Sequence, residues 1–121
     1  MGRAGWVAGL AVLAAGCAAP GGVTERVRDY NEDGVHLYQQ GSYAGARDTF
    51  RAALALQPGD ANLLYNLAQC HDRLGQTAQA EQLYQDCLRS APNHPECRHA
   101  LTLLLVNSGR RGEAARMVDD S

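Results

Sequence analysis

A chain of 121 residues, shortened to about a hundred by any processed leader, has room for one domain and sits near the small end of what a single core stabilises. Hydrophobic residues make up 45% but aromatic ones only 6%, with alanine recurring throughout; this argues against a sheet packed with branched and aromatic side chains and favours an all-α chain of closely approaching helices. The formal charge is -2, and all 11 basic residues are arginines interspersed with Asp and Glu, so no positive stripe exists to displace counterions from nucleic acid.

From the first residue, one basic side chain (Arg3) precedes an apolar run from Trp6 to Ala15, followed by Gly16-Cys17. A membrane span needs about 20 apolar residues and a signal-peptide core about 7 to 15, so residues 1–16 are expected to be a signal peptide. The segment Leu13-Ala14-Ala15-Gly16-Cys17 resembles the lipobox of bacterial lipoproteins, in which small residues let a peptidase reach the bond before a lipid-bearing cysteine. It departs from the common pattern at Ala14, where leucine is more frequent. The resemblance implies lipidation at Cys17, with covalent diacylglycerol and an acyl chain as the only non-protein groups and no other cofactor. Each buried methylene contributes about 0.8 kcal/mol, so several acyl chains hold a protein to a bilayer essentially permanently. Ala18 is not the aspartate that retains such proteins at the inner membrane, which implies the periplasmic face of the bacterial outer membrane. Residues 17–26, glycine-rich and containing Pro20, read as a short tether.

Beyond the tether the chain repeats itself. Gly41, Gly75 and Gly109 are spaced by 34 residues, as are Ala46, Ala80 and Ala114, then Phe50, Tyr84 and Val118, then Pro58 and Pro92. One unit reads Tyr30, Asp33-Gly34, Leu37, Gly41, Tyr43, Ala46, Phe50, Ala53, Pro58; the next reads Leu64, Leu67-Ala68, His71, Gly75, Thr77, Ala80, Tyr84, Cys87, Pro92. Period and pattern resemble the tetratricopeptide repeat, which implies a helical solenoid of about two and a half to three helix-turn-helix repeats. The residue types make physical sense: glycine for a turn, small residues where paired helices approach, an aromatic wedge toward the next helix, and proline to stop the second helix.

Helices are predicted at about 27–40, 44–57, 61–74, 78–91, 95–108 and 112–119, dividing the chain into repeats 27–60 and 61–94 and an incomplete repeat 95–121. Asp60 and Asn93 or Asn62 offer capping oxygens near helix starts. The third unit departs from the pattern, with Arg98, Leu101-Thr102 and Leu105 in its first helix and Arg111 in the aromatic place. Such a stack is at the margin of stability, so the last helix is expected either to fray or to be covered. Leu104, Leu105, Met117 and Val118 are expected to stay partly uncovered there, and a homo-oligomer through this end is the structural alternative to a role in binding other proteins.

Three cysteines remain after Cys17. In an oxidising compartment thiols tend to pair, and Cys87 and Cys97, at similar distances from the turn around Pro92, form the favoured disulfide, leaving Cys70 over. A metal or redox protein using Cys87, His94, Cys97 and His99 is the remote alternative. The spacing argues against it, because Cys97 and His99 lie about 200 degrees apart around a helix, and no metal is expected. No nucleophile-base or paired-carboxylate constellation stands out, so no enzyme is expected.

The resemblance implies that the first helices of successive repeats line a groove for an extended peptide or helix of a partner. The matching positions are Asn31, Val35 and Tyr38; Asn62, Tyr65, Asn66, Gln69 and Arg73; and Glu96, His99 and Leu103. Asparagine and glutamine can bond peptide backbone, and the tyrosines offer contact area at low entropy cost. The Lys, Asn and Arg clamp of repeats that grip a C-terminal carboxylate is absent, its places being held by Asn31, Val35, Asn66, Asn62 and Ala100. The expected role is therefore a membrane-anchored adaptor or scaffold for an envelope assembly.

Overall fold

A computed structural model of the protein describes residues 22–119. The lipobox, Cys17 and the start of the tether lie outside the described residues. Six helices follow one another: α1 (Gly22–Gln39), α2 (Tyr43–Leu56), α3 (Ala61–Arg73), α4 (Thr77–Ser90), α5 (Pro95–Asn107) and α6 (Arg111–Asp119). Each packs against its neighbours in the chain, and α1 also touches α3 across α2. Among the described residues there is no strand, and no helix is long and apolar enough to cross a membrane.

The three turns inside repeats are built alike. Gly41 donates its amide to the Tyr38 carbonyl at 3.0 Å and Ser42 donates to Leu37 at 2.9 Å. Gly75 and Gln76 repeat this with Asp72 and His71, and Gly109 and Arg110 with Val106 and Leu105. This paired pattern is the Schellman ending of a helix, whose residue after the C-cap takes the left-handed conformation. Gly41, Gly75 and Gly109 sit there with φ of 82°, 76° and 78°, which is why glycine recurs at this interval. Between repeats, α2 ends before Pro58 and α4 before Pro92, as the missing amide of proline requires.

Helix starts differ from expectation at two points. Asp60 caps α3, its side chain accepting from the Leu63 amide, but α5 is capped by His94 accepting from the Cys97 amide, not by Asn93. Helix α1 begins at Gly22, so residues 22–26 of the expected tether are helical; all are exposed, and Val27 is the first buried residue.

Helix pairs approach closely because small residues occupy the crossing. Ala46, Ala53, Ala68, Ala80 and Cys87 are completely buried, and Phe50 and Tyr84 fill the space beside them. Two clusters result. The first joins Val27, Ala46, Phe50 and Ala53 to Leu63, Leu67 and Cys70; the second joins Leu64 and Ala68 to Tyr84, Leu101, Leu104, Leu105 and Ala114. Helix α3 contributes to both.

The open-end patch is smaller than the sequence suggests. Leu104 and Leu105 are buried in the second core, Met117 is half-buried, and Val118 is exposed. Arg110 ties the start of α6 down through Glu81 at 2.6 Å and Glu113 at 2.5 Å, which holds the Glu113 carboxyl below its usual range. Arg98 donates to the Met117 carbonyl at 3.0 Å, satisfying a helix-end acceptor.

Gly34 faces the tightest approach, since an added Cβ would stand 2.6 Å from Phe50 Cε1, whereas one at Gly45 would meet only Leu37 at 3.7 Å. Gly34→Ala is expected to lower unfolding free energy in urea by about 1–2 kcal/mol net of helix propensity, with Gly45→Ala neutral or slightly stabilising. Equal effects at the two positions would contradict this packing.

Candidate functional site

Helix α3 carries three stripes. Leu63, Leu67 and Cys70 face the first core, while Leu64 and Ala68 face the second. Asn62, Tyr65, Asn66, Gln69 and Arg73 remain on the side shared with α1 and α5, as a period of 3.6 residues dictates.

Two hollows lie along that side. The first, about 270 Å³, is mostly apolar and sits between α1 and α3, lined by Val35, Tyr38, Phe50, Tyr65, Asn66 and Gln69. The second, about 650 Å³, lies between α3 and α5 and is bordered by Arg73, Asp72, Glu96, His99, Leu103 and Asn107 among others. Tyr65 and Gln69 line both and so form the wall between them. Of the residues expected in the groove, Val35, Tyr38, Tyr65, Asn66, Gln69, Arg73, Glu96, His99 and Leu103 border these hollows. Asn31 and Asn62 instead line a cleft nearer the N-terminal ends of α1 and α3.

Many of the polar groove residues are bonded to one another between repeats. Asn66 Nδ2 donates to Asn31 Oδ1 at 3.0 Å, and Arg73 Nε donates to the Tyr38 hydroxyl at 3.0 Å. The Arg73 guanidinium also lies 5.9 Å and 5.8 Å from the ring centres of Tyr38 and Tyr43, within cation–π range. Gln69 bridges the Tyr38 and Tyr84 hydroxyls, accepting from the first and donating to the second. His94 Nε2 is 2.8 Å from Asn62 Oδ1. These side chains therefore pin one first helix to the next as well as lining the surface. The sequence pattern did not point to Tyr84 or His94 here, because their partners are 15 and 32 residues away.

Burial shapes the titration of this region. Desolvation raises the Tyr65 hydroxyl above its ordinary value, with Glu96 and then Tyr38 adding to it, and burial pushes Tyr84 higher still. At neutral pH both are neutral donors and acceptors. Cys70 is buried in the first core, and desolvation lifts its thiol to about 11 although Arg47 opposes the shift; a protonated, enclosed thiol is a poor nucleophile.

The sulfurs of Cys87 and Cys97 are bonded, with Cα atoms 6.5 Å apart, fastening α4 to α5. Closing a loop with a sequence separation of 10 removes unfolded-chain entropy worth about 3 kcal/mol. His99 is exposed while Cys97 is fully buried, so the two face different sides of α5. The histidine beside the cysteine pair is His94: Cys87, His94 and Cys97 bring their ligand atoms within 4.8 Å of one another.

Helix pairs repeated at a fixed interval, with alternate helices lining one grooved side, define a helical-repeat solenoid. The chain belongs to the tetratricopeptide repeat family, whose sequence model matches residues 37–104. It is 30% identical over 95 residues to the Photosystem I assembly protein Ycf3 of Synechococcus sp. (strain CC9902), covering 76% of this chain and 55% of that protein. It is 39% identical over 51 residues to Outer dynein arm-docking complex subunit 4 of Danio rerio, covering 42% of this chain and 10% of that one. The chain thus spans about half or less of the length of these curated relatives. Among solved structures, the Yersinia enterocolitica type III secretion chaperone SycD in complex with a peptide of the translocator YopD has a TM-score of 0.73 at 22% identity, covering 77% of this chain and 71% of that one. The first repeat domain of Spaghetti (RPAP3), bound to the HSP90 peptide SRMEEVD, gives 0.74 at 19% identity, covering 78% and 75%. These two structures share the fold.

If Asn31 and Asn66 hold adjacent repeats in register, a double-mutant cycle with alanine at both is expected to return a coupling of about 0.5–1.5 kcal/mol in urea unfolding. Additivity within a few tenths would assign both side chains to solvent.

Proposed function

We propose that this protein is a membrane-anchored interaction adaptor. The side formed by α1, α3 and α5 holds an extended peptide or a helix of a partner protein, and a lipid on Cys17 keeps the chain at the periplasmic face of a bacterial outer membrane as an accessory of a cell-envelope assembly. The role is binding, with no catalytic step.

One observation carries the reading: two hollows in line on one side, separated only by Tyr65 and Gln69. The apolar first hollow suits a hydrophobic side chain. The larger and more polar second one, with Arg73, Glu96 and His99 on its border, suits the flanking backbone and polar groups. A groove already shaped by hydrogen bonds between its own walls costs a ligand little reorganisation. Structures that share the fold hold peptides, which supports the same use of the fold here. Anchoring rests on the lipobox resemblance at Leu13 to Cys17.

A photo-crosslinking residue placed at Tyr65 or Leu103 in the full chain, in its own membranes, is expected to yield adducts with a partner, while one at the exposed Arg51 on α2 yields none. Adducts from position 51 alone, or equally from all three, would move the binding surface elsewhere. Labelled palmitate is expected to enter the wild-type chain and not Cys17→Ser; equal labelling of both would remove the anchor.

A further inference from the structure

We propose that Cys87, Cys97 and His94 form a redox-gated site for a soft divalent metal ion, Zn²⁺ or an ion of similar preference, which binds only when the disulfide between α4 and α5 is open. The three ligand atoms already lie within 4.8 Å of one another. Tetrahedral zinc, with bonds of about 2.3 Å to sulfur and 2.0–2.1 Å to nitrogen, separates neighbouring ligand atoms by roughly 3.5–4 Å. Two cysteines whose Cα atoms are 6.5 Å apart are close enough to share such an ion once their sulfurs part.

His94 is prepared as a ligand. Its Nε2 lies 2.8 Å from Asn62 Oδ1, an acceptor, so Nε2 carries the proton. Its Nδ1 lies 3.2 Å from the Cys97 amide, a donor, so Nδ1 is the unprotonated nitrogen, and its lone pair, which caps α5, would exchange that amide for the ion. A carboxamide oxygen holding the far nitrogen is the kind of outer partner that orients a metal-binding imidazole. The ring lies 5.8 Å from that of Tyr65, which further limits its rotation. Both cysteines are fully buried and the His94 side chain is 11% exposed, so an ion would be sheltered from water on most sides. Two thiolates balance a divalent charge, and the set of two sulfurs and one imidazole favours a borderline-soft ion over Mg²⁺ or Ca²⁺. The exposed Glu96 carboxylate lies 3.5 Å from His94 Nδ1, close enough to supply a fourth ligand.

The exchange balances as follows. A dithiol donor supplies two electrons and two protons, the Cys87–Cys97 bond breaks to give two thiols, and the donor closes its own disulfide. Metal binding then releases the two thiol protons to solvent. Reoxidation reverses the sequence and expels the ion. Disulfide and metal are thus mutually exclusive fasteners of one joint, the one that carries α5 and its side of the groove.

The test uses the full chain carrying Cys17→Ser, reduced with a phosphine under anaerobic conditions and titrated with Co²⁺, then Zn²⁺. One equivalent of Co²⁺ is expected to give thiolate-to-metal charge-transfer absorption that Zn²⁺ abolishes, with none in the disulfide form. His94→Asn keeps a capping oxygen at the start of α5, so the helix is retained while the ligand is lost. Its Co²⁺ affinity is expected to fall by about a hundredfold or more, given that loss of an outer partner alone costs ten- to hundredfold. Cys87→Ser should abolish the charge-transfer band. Absence of the band in the reduced chain, or its survival unchanged in either His94→Asn or Cys87→Ser, would overturn the site.

Discussion

A helix in the middle of a repeat stack has to satisfy neighbours on two sides and still present a third side to whatever the protein binds. Helix α3 does this in 13 residues. Leu63, Leu67 and Cys70 close the first core, and Leu64 and Ala68 close the second. The remaining face holds Tyr65 and Gln69, the wall between the two hollows. Burying a leucine fully is worth about 1.5–3 kcal/mol, several times more than exposed ion pairs such as those of Arg28 with Glu25 and Glu32. The position of α3 is therefore set by its buried stripes, and the groove inherits its geometry from them.

Small residues make this arrangement possible. Gly34 lets Phe50 approach to a separation no Cβ would tolerate, and Ala68 and Ala80 are buried to the last atom beside Tyr84. The same closeness brings polar side chains of successive first helices within bonding range, so Asn31 meets Asn66 and Asn62 meets His94. Packing and hydrogen bonding thus act on one register, and a partner entering the groove meets groups already oriented by each other.

Much of this was legible in the residues themselves. Gly41, Gly75 and Gly109 are required by the left-handed position of a Schellman turn, and Pro58 and Pro92 by the end of a hydrogen-bond ladder, so each signals its place without reference to the rest of the chain. The early start of α1 was not legible, because residues 22–26 bury nothing and so carry no apolar period. The cap of α5 was missed because histidine is a less common capping residue than the asparagine beside it, and its identity emerges only from the Cys97 amide it accepts. Pairings within the groove were invisible for a different reason: they join residues 15 to 35 apart, and one-dimensional spacing does not report which side chains two stacked helices bring together. Leu104 and Leu105, which looked uncovered on the pattern alone, are buried in the second core, to which the short final helix adds Ala114.

The claim that α3 is the shared pillar of both cores is open to a direct measurement, native-state amide hydrogen exchange resolved by residue. The amides of Leu67, Ala68 and Cys70 should exchange only through global unfolding and so report the largest protection in the chain, with those of α6 opening at lower free energy. If α3 exchanges as readily as α6, the two cores do not meet on it and the groove has no fixed wall.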